Sequence, residues 1–339
     1  MKKTAILTFL CLNMLLAQGC VSWGYQKYKP NENNEYDAML DGLVSPFAAE
    51  KKWIWSRGKV FGDLDGDGKD EETVVATIQG GTPDVPEPIT RAFLLICNRD
   101  ANGKLSLRYR VNLFDAGKSL EKAPTPVGLA FPPEVLPMKD CSLQIVDSDA
   151  SDRSLLLASF SSAEKDGCAS AWHTAYRLDK QQGDAALKCV FSLLCWQKDA
   201  AVATMDIDKD GIDEFIIEQS VVPAASILGT HETEFPKWIS VYKVGSDGVY
   251  VQADEEFRRM YRPVMLDWYK QYVSLLHAEA KNPAQSLYEY YLGRMHFYLG
   301  EFHIAERFAT KSLENSSDVR ITAVATDLLQ KAKGAMKTE

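Results

Sequence analysis

The sequence predicts a chain that is mainly β and then α: three four-stranded, propeller-blade-like antiparallel units followed by a C-terminal helical bundle. Three observations carry this. Short apolar or alternating runs, punctuated by Gly, Asn and Asp, extend from about Lys51 to Asp254, as strands require. One acidic stretch, Asp63-Leu64-Asp65-Gly66-Asp67-Gly68-Lys69-Asp70-Glu71, recurs as Asp206-Ile207-Asp208-Lys209-Asp210-Gly211-Ile212-Asp213-Glu214. After Asp254 the apolar spacing turns helical.

The β part divides into three units of one design. The first runs from Trp53-Ile54-Trp55 through the acidic loop to Thr73–Ile78, Phe93–Ile96, a turn at Asp100–Gly103 and Leu105–Val111. The second has Leu143–Val146, the degenerate loop Asp147–Asp152, Leu155–Ala158, Trp172–Leu178, a turn at Gln181–Gly183 and Ala186–Leu194. The third has Ala201–Met205, the second acidic loop, Phe215–Glu218, Trp238–Val244, a turn at Ser246–Gly248 and Val249–Val251. Each unit reads strand, acidic loop, strand, strand, tight hairpin, strand, which is the mark of a repeat. The Pro-rich pieces Gly80–Pro88 and Lys122–Pro126 read as surface loops inserted into this frame. Trp53 and Trp55 share a strand face, where core packing competes with a sugar-stacking platform.

In the helical part, Val264, Met265, Trp268, Tyr272, Leu275 and Leu276 mark one amphipathic face, with Pro263 in a first turn. Asn282-Pro283 restarts a helix, Gly300 breaks the next pair, and Ser317 or Asp318 caps a last helix to about Lys333. The expected organisation is a signal segment over 1–19, a polar tether over 20–45, the β-repeat domain over 46–255 and the helical module over 256–339.

The N-terminus carries a basic Met1-Lys2-Lys3 and an apolar run from Ala5 to Leu16, too short to span a bilayer comfortably. Leu15-Leu16-Ala17-Gln18-Gly19-Cys20 resembles a bacterial lipobox, although Ala17 stands where Leu is usual. That resemblance implies cleavage before Cys20, its acylation, and a lipid membrane as the first partner. The alternative is a plain secretory signal. Export leaves Cys97, Cys141, Cys168, Cys189 and Cys195, an odd number, in a compartment that permits disulfides. If the hairpin turns at about Gln181-Gln182, Cys168 faces Cys195 at its open end, and a slip of one residue separates them. Among 339 residues the net charge is -9, which argues against nonspecific nucleic-acid binding and suits a protein that holds divalent cations.

The acidic loops are the candidate metal sites. Alternate carboxylates at Asp63, Asp65 and Asp67 converge if the chain curls, and Gly68 lets it curl. The Lys69 carbonyl and the Glu71 carboxylate complete the first set. Asp206, Asp208, Asp210, the Ile212 carbonyl and Glu214 form the second. Such hard oxygens suit structural Ca²⁺, with weak affinity of about 10⁻⁴ M. An EF-hand is excluded, because Val74 and Ile217 stand at the twelfth position and strands flank the loops. The spacing resembles the FG-GAP/VCBS repeats of integrin α-chains and many bacterial surface proteins. The resemblance implies calcium bound between the strands of propeller blades. Full propellers of that family have seven blades, and the last carboxylate there is usually Asp.

Leu292, Gly293, Phe297, Gly300, Phe302, Ala305, Phe308, Ser312 and Leu313 match a tetratricopeptide repeat in outline. The resemblance implies docking of a protein partner; a generic helical hairpin is the alternative. No catalytic constellation stands out. His231-Glu232-Thr233-Glu234-Phe235 lacks the second His of a zincin, and there is no nucleophile elbow or P-loop. The expectation is a non-enzymatic, calcium-stabilised envelope lipoprotein serving as an interaction scaffold. Its alternative is a carbohydrate-binding or hydrolytic protein that uses the propeller-like face.

Overall fold

A computed structural model describes residues 53–64, 68–82, 85–115, 124–133, 136–146, 155–162, 169–179, 186–196, 201–221, 235–277 and 284–338. Among them, three four-stranded antiparallel sheets form, each with its strands in chain order. The first holds β1 (Trp53–Gly62), β2 (Glu71–Thr82), β3 (Val85–Arg99) and β4 (Leu105–Asp115). The second holds β5 (Met138–Val146), β6 (Leu155–Ser162), β7 (Ser170–Asp179) and β8 (Ala186–Trp196). The third holds β9 (Ala201–Met205), β10 (Glu214–Gln219), β11 (Trp238–Val244) and β12 (Tyr250–Gln252). Four helices follow: α1 (Tyr261–Leu276), α2 (Gln285–Tyr298), α3 (Phe302–Asn315) and α4 (Val319–Ala335). The three-unit β architecture and the helical tail are therefore as the sequence predicts.

The sheets stack in chain order. Val75, Leu94 and Ile96 of the first pack with Leu156, Phe160 and Trp172 of the second. Leu157, Ala175 and Phe191 on the opposite face of the second pack with Phe215, Ile217 and Tyr242 of the third. The middle sheet is thus covered on both sides, so Leu155-Leu156-Leu157-Ala158 is a continuous apolar run instead of an alternating one. Each such leucine contributes about 1.5–3 kcal/mol of burial.

The third sheet joins the helices. Trp238 of β11 packs with Trp268 of α1 and Tyr288 and Tyr291 of α2. Every residue of α2 from Ser286 to His296 is buried, so this stretch of the central helix presents no face to solvent and its Glu289, Arg294 and His296 are hydrogen-bonded inside. At Gly293 an added Cβ would stand 3.1 Å from the Phe308 Cβ and 3.3 Å from the Ala305 carbonyl, so a side chain there would press α3 outward by a few tenths of an ångström. The Asp318 side chain accepts the Arg320 amide at 2.8 Å and caps α4, one of the two caps the sequence offered.

Arg294 of α2 is the buried pin between layers. Its Nη1 donates to the Gly128 carbonyl and its Nη2 to the Val127 carbonyl, each at 2.7 Å. It lies 3.5 Å from the Asp254 carboxylate and over the Trp238 ring. Asp254 in turn accepts the Val241 amide at 2.8 Å.

Three local expectations change. The Pro-rich piece near Gly80–Pro88 largely continues the β2–β3 hairpin, with Thr82 paired to Val85 and Gly81 to Pro86 beyond bulges at Gln79. The piece Lys122–Pro126 is tied down where it is described: the Pro124 carbonyl accepts the Leu194 amide at 2.9 Å, Pro126 is buried, and Leu129, Ala130 and Phe131 beyond it enter the core shared with the helices. The β7–β8 register also differs, for Cys195 pairs with Ala171. Asp179 pairs with Ala186 and Leu178 with Leu187, and a bulge between Ala175 and Tyr176 leaves Val190 as an extra residue on β8. Cys195 is a free, buried thiol that donates to the Ala171 carbonyl at 3.5 Å, and burial pushes its pKa up to about 12. Cys168, Cys20, Asp65, Asp67, the signal and tether segments, and the Asp147–Asp152 loop lie outside the described residues.

Candidate metal centre

The acidic loops form the first connection of the first and third sheets, β1 to β2 and β9 to β10. Their bonding matches atom for atom where both are described. Asp63 Oδ2 accepts the Gly68 amide at 2.7 Å, and Asp206 Oδ2 accepts the Gly211 amide at 3.1 Å. Glu71 Oε2 accepts the Leu64 amide at 2.9 Å, and Glu214 Oε2 accepts the Ile207 amide at 2.8 Å. Each loop therefore turns around its first aspartate and is closed by its glutamate. Gly68 and Gly211 sit at φ 81° and 85° with open space around a would-be Cβ, so the backbone itself demands glycine. Lys209 also adopts positive φ, at 65°, where the sister loop has Gly66.

In the second loop, Asp206, Asp208 and Asp210 each offer an oxygen, all within 4.8 Å of one another. Backbone amides orient them. Asp210 N donates to Asp206 Oδ1 at 3.1 Å and to Asp208 Oδ1 at 3.2 Å, while Ile212 N donates to Asp210 Oδ1 at 2.9 Å. The three carboxylates are exposed or half-buried, so water can complete a shell. This donor set fits a hard cation that accepts six to eight oxygens.

Glu71 and Glu214 stand apart from that cluster in character. Both are buried at 1% exposure. Glu71 Oε1 also meets Arg108 Nη1 at 3.1 Å. Burial pushes the Glu214 carboxyl above its ordinary value; the Ile207 amide opposes this, and Asp206, Asp208 and Asp210 reinforce it. Their observed work is to clamp the loop to the strand it enters. Lys69 lies exposed and Ile212 half-buried in their loops.

Lys243 is the participant that the sequence did not disclose. Its Nζ lies 3.0 Å from Asp208 Oδ2 and 3.4 Å from Glu256 Oε2. The hydrogen bond from Lys243 holds the Asp208 carboxyl below its usual value, and the same bond raises Lys243. Lys243 lies on β11, far along the chain, and only the pairing of β10 with β11 brings it beside the loop.

No family model matches the sequence, and no curated protein matches it. Among solved structures, the exotype rhamnogalacturonan lyase YesX is similar over 59% of this chain and 33% of its own, with 9% identity and a TM-score of 0.30. The rhamnogalacturonan lyase PL11 of Bacillus licheniformis is similar over 57% of this chain and 47% of its own, with 10% identity and a TM-score of 0.22. The chain thus spans less than half the length of either structure, and likeness at these scores carries no argument about chemistry.

Proposed function

We propose that this chain is an exported, lipid-anchored interaction protein of a bacterial envelope, stiffened by structural calcium in its acidic loops. The observation that carries the reading is the matched bonding of the two loops, each turned on its first aspartate and clamped by its buried glutamate. Two loops so alike in architecture, at the same connection of two sheets, serve the frame of the molecule and not one reaction centre. Neutralising the Asp206–Asp208–Asp210 cluster would remove like-charge repulsion at a strand end, and the ion's binding energy would add to folding. The helical region supplies the partner surface. Leu266, Val273 and Leu276 expose 58%, 45% and 50% of their surface along one side of α1, where a protein partner would cover them. The anchor would be Cys20.

The test is crosslinking in the native envelope with calcium or with chelator, using wild type and Leu266→Ser/Val273→Ser. A specific partner lost in the double variant, and weakened by chelation, is the expected outcome. Identical crosslinks in all four samples would sink the reading. Titration of calcium into Asp208→Asn separates the two parts, since loss of one site with the partner retained would make the ion incidental to docking.

A further inference from the structure

The face of the second sheet that meets the third is not apolar throughout. Cross-strand pairing sets Ser142 of β5 opposite Ser159 of β6, and Ser159 opposite His173 of β7. Asp140 lies opposite Ser161 in the neighbouring row, and Gln144 opposite Leu157 in the next. These rows share one side of the sheet, because directly opposed residues point the same way. The strands of the third sheet have five, six, seven and three residues, against nine, eight, ten and eleven in the second. Among the described residues, the smaller sheet leaves part of the larger face uncovered. A cavity of about 370 Å³ remains there, floored by these polar side chains and walled by Val202 of β9.

His173 lines this cavity at 4% exposure. Its Nδ1 is 2.8 Å from Ser159 Oγ, and its Nε2 has no hydrogen-bond partner among the described residues. A buried polar nitrogen in that state is costly, and native interiors satisfy such groups. The ring is neutral near pH 7, since burial pulls its pKa down to about 4. If Ser159 donates to Nδ1, Nε2 carries a proton to give; if Nδ1 donates, Nε2 has a lone pair to receive one. A hydroxyl group answers either state, because it both donates and accepts.

From this we infer that the cavity is a binding site for a small, uncharged, hydroxyl-rich ligand of about monosaccharide size, held by His173 Nε2 and the Ser142–Ser159 row. The volume lies at the low end of small-molecule pockets. Among the described lining residues there is no Lys or Arg, and Asp140 is acidic, so a carboxylate or phosphate ligand finds no cationic partner among them. One carboxylate beside a neutral imidazole is a poor set for a hard cation. The polar floor disfavours a hydrocarbon. None of the lining residues belongs to an acidic loop, so the site stands independently of the calcium reading.

The test uses the labelled full chain in detergent, with myo-inositol, glucose, galactose and mannose as probes and glucuronate and a sugar phosphate as charged counterparts. Proton–nitrogen correlation of the His173 ring, assigned against His173→Gln, is the readout. At tens of millimolar, at least one neutral probe should shift the Nε2 resonance saturably, and its charged counterparts should bind about tenfold more weakly. Val202→Trp, which fills the cavity from the third sheet, should abolish the shift. Ser142 is exposed on the edge strand β5, so Ser142→Ala should keep the fold and weaken binding several-fold. Thermal melts report folding of both variants. Silence with all four neutral probes, equal binding of the charged ones, or a shift that survives in Val202→Trp overturns the assignment.

Discussion

At the scale of residues, His173 shows how position on a sheet sets chemistry. The same imidazole in an unfolded chain titrates near 6.5, and in the folded protein near 4. The unfolded state therefore binds more protons between those values, and stability falls as pH drops through that window. The contribution is complete above 6.5 and gone by about 4. The shift is worth about 3 kcal/mol. Urea unfolding at successive pH values should show His173→Gln losing less stability across this window than wild type; equal slopes would mean that the ring is not buried as a neutral group. The acidic loops make a different point at the same scale. Their turn-forming glycines and alternate aspartates were legible, because the pattern is local. That Glu71 and Glu214 turn back to clamp the Leu64 and Ile207 amides was not, since a carboxylate looks the same in sequence whether it faces an ion or an amide.

At the scale of elements, pairing and docking decide. The β7–β8 hairpin was visible as two strands and a turn, but the pairing of Asp179 with Ala186 and the Val190 bulge set a different register. An extra residue in a bulge leaves no mark in an apolar alternation as short as this one. The helical part shows the same limit. Arg294 sits in a run of tyrosines, Leu and Met, and a lone charge there can be a surface residue or a buried pin. The structure makes it the pin between α2, the 127–128 backbone and Asp254. Burial already pushes the Asp254 carboxyl above its usual value, with Arg294 opposing. Arg294→Met should then destabilise by about 3–5 kcal/mol, as expected when one partner of a buried pair is removed. Adding Asp254→Asn should recover part of that loss, because the stranded charge goes with it. Urea midpoints for the single and double variants decide this; simple additivity would show that the two groups act separately.

At the scale of the whole molecule, the stack couples each sheet to the next and the last sheet to the helices. Ion binding in a loop between strands is then felt by the entire cooperative unit. With free calcium at about a hundredfold excess over the dissociation constant, each occupied loop should add about 2.7 kcal/mol. Melting temperature should rise with calcium and fall with chelator, and Asp208→Asn should remove the share of the second loop. Lys243→Met should tighten that site several-fold, since the ammonium beside Asp208 competes with the ion. Melting curves unmoved by calcium would remove the metal from the account.

The three β units, their hairpin order, the acidic connections and the change to helices are all readable along the chain. Each is written in residues close together along the chain, where periodicity, glycine turns and caps act directly. What the units do to one another is settled by packing between segments far apart in the chain. Burial of the middle sheet on both faces, Lys243 beside Asp208, Arg294 over the Trp238 ring, and the polar rows that line the His173 cavity all join residues distant in sequence. The physical reason is that register and sheet size, which no single segment encodes, fix which side chains meet water, an ion, or each other.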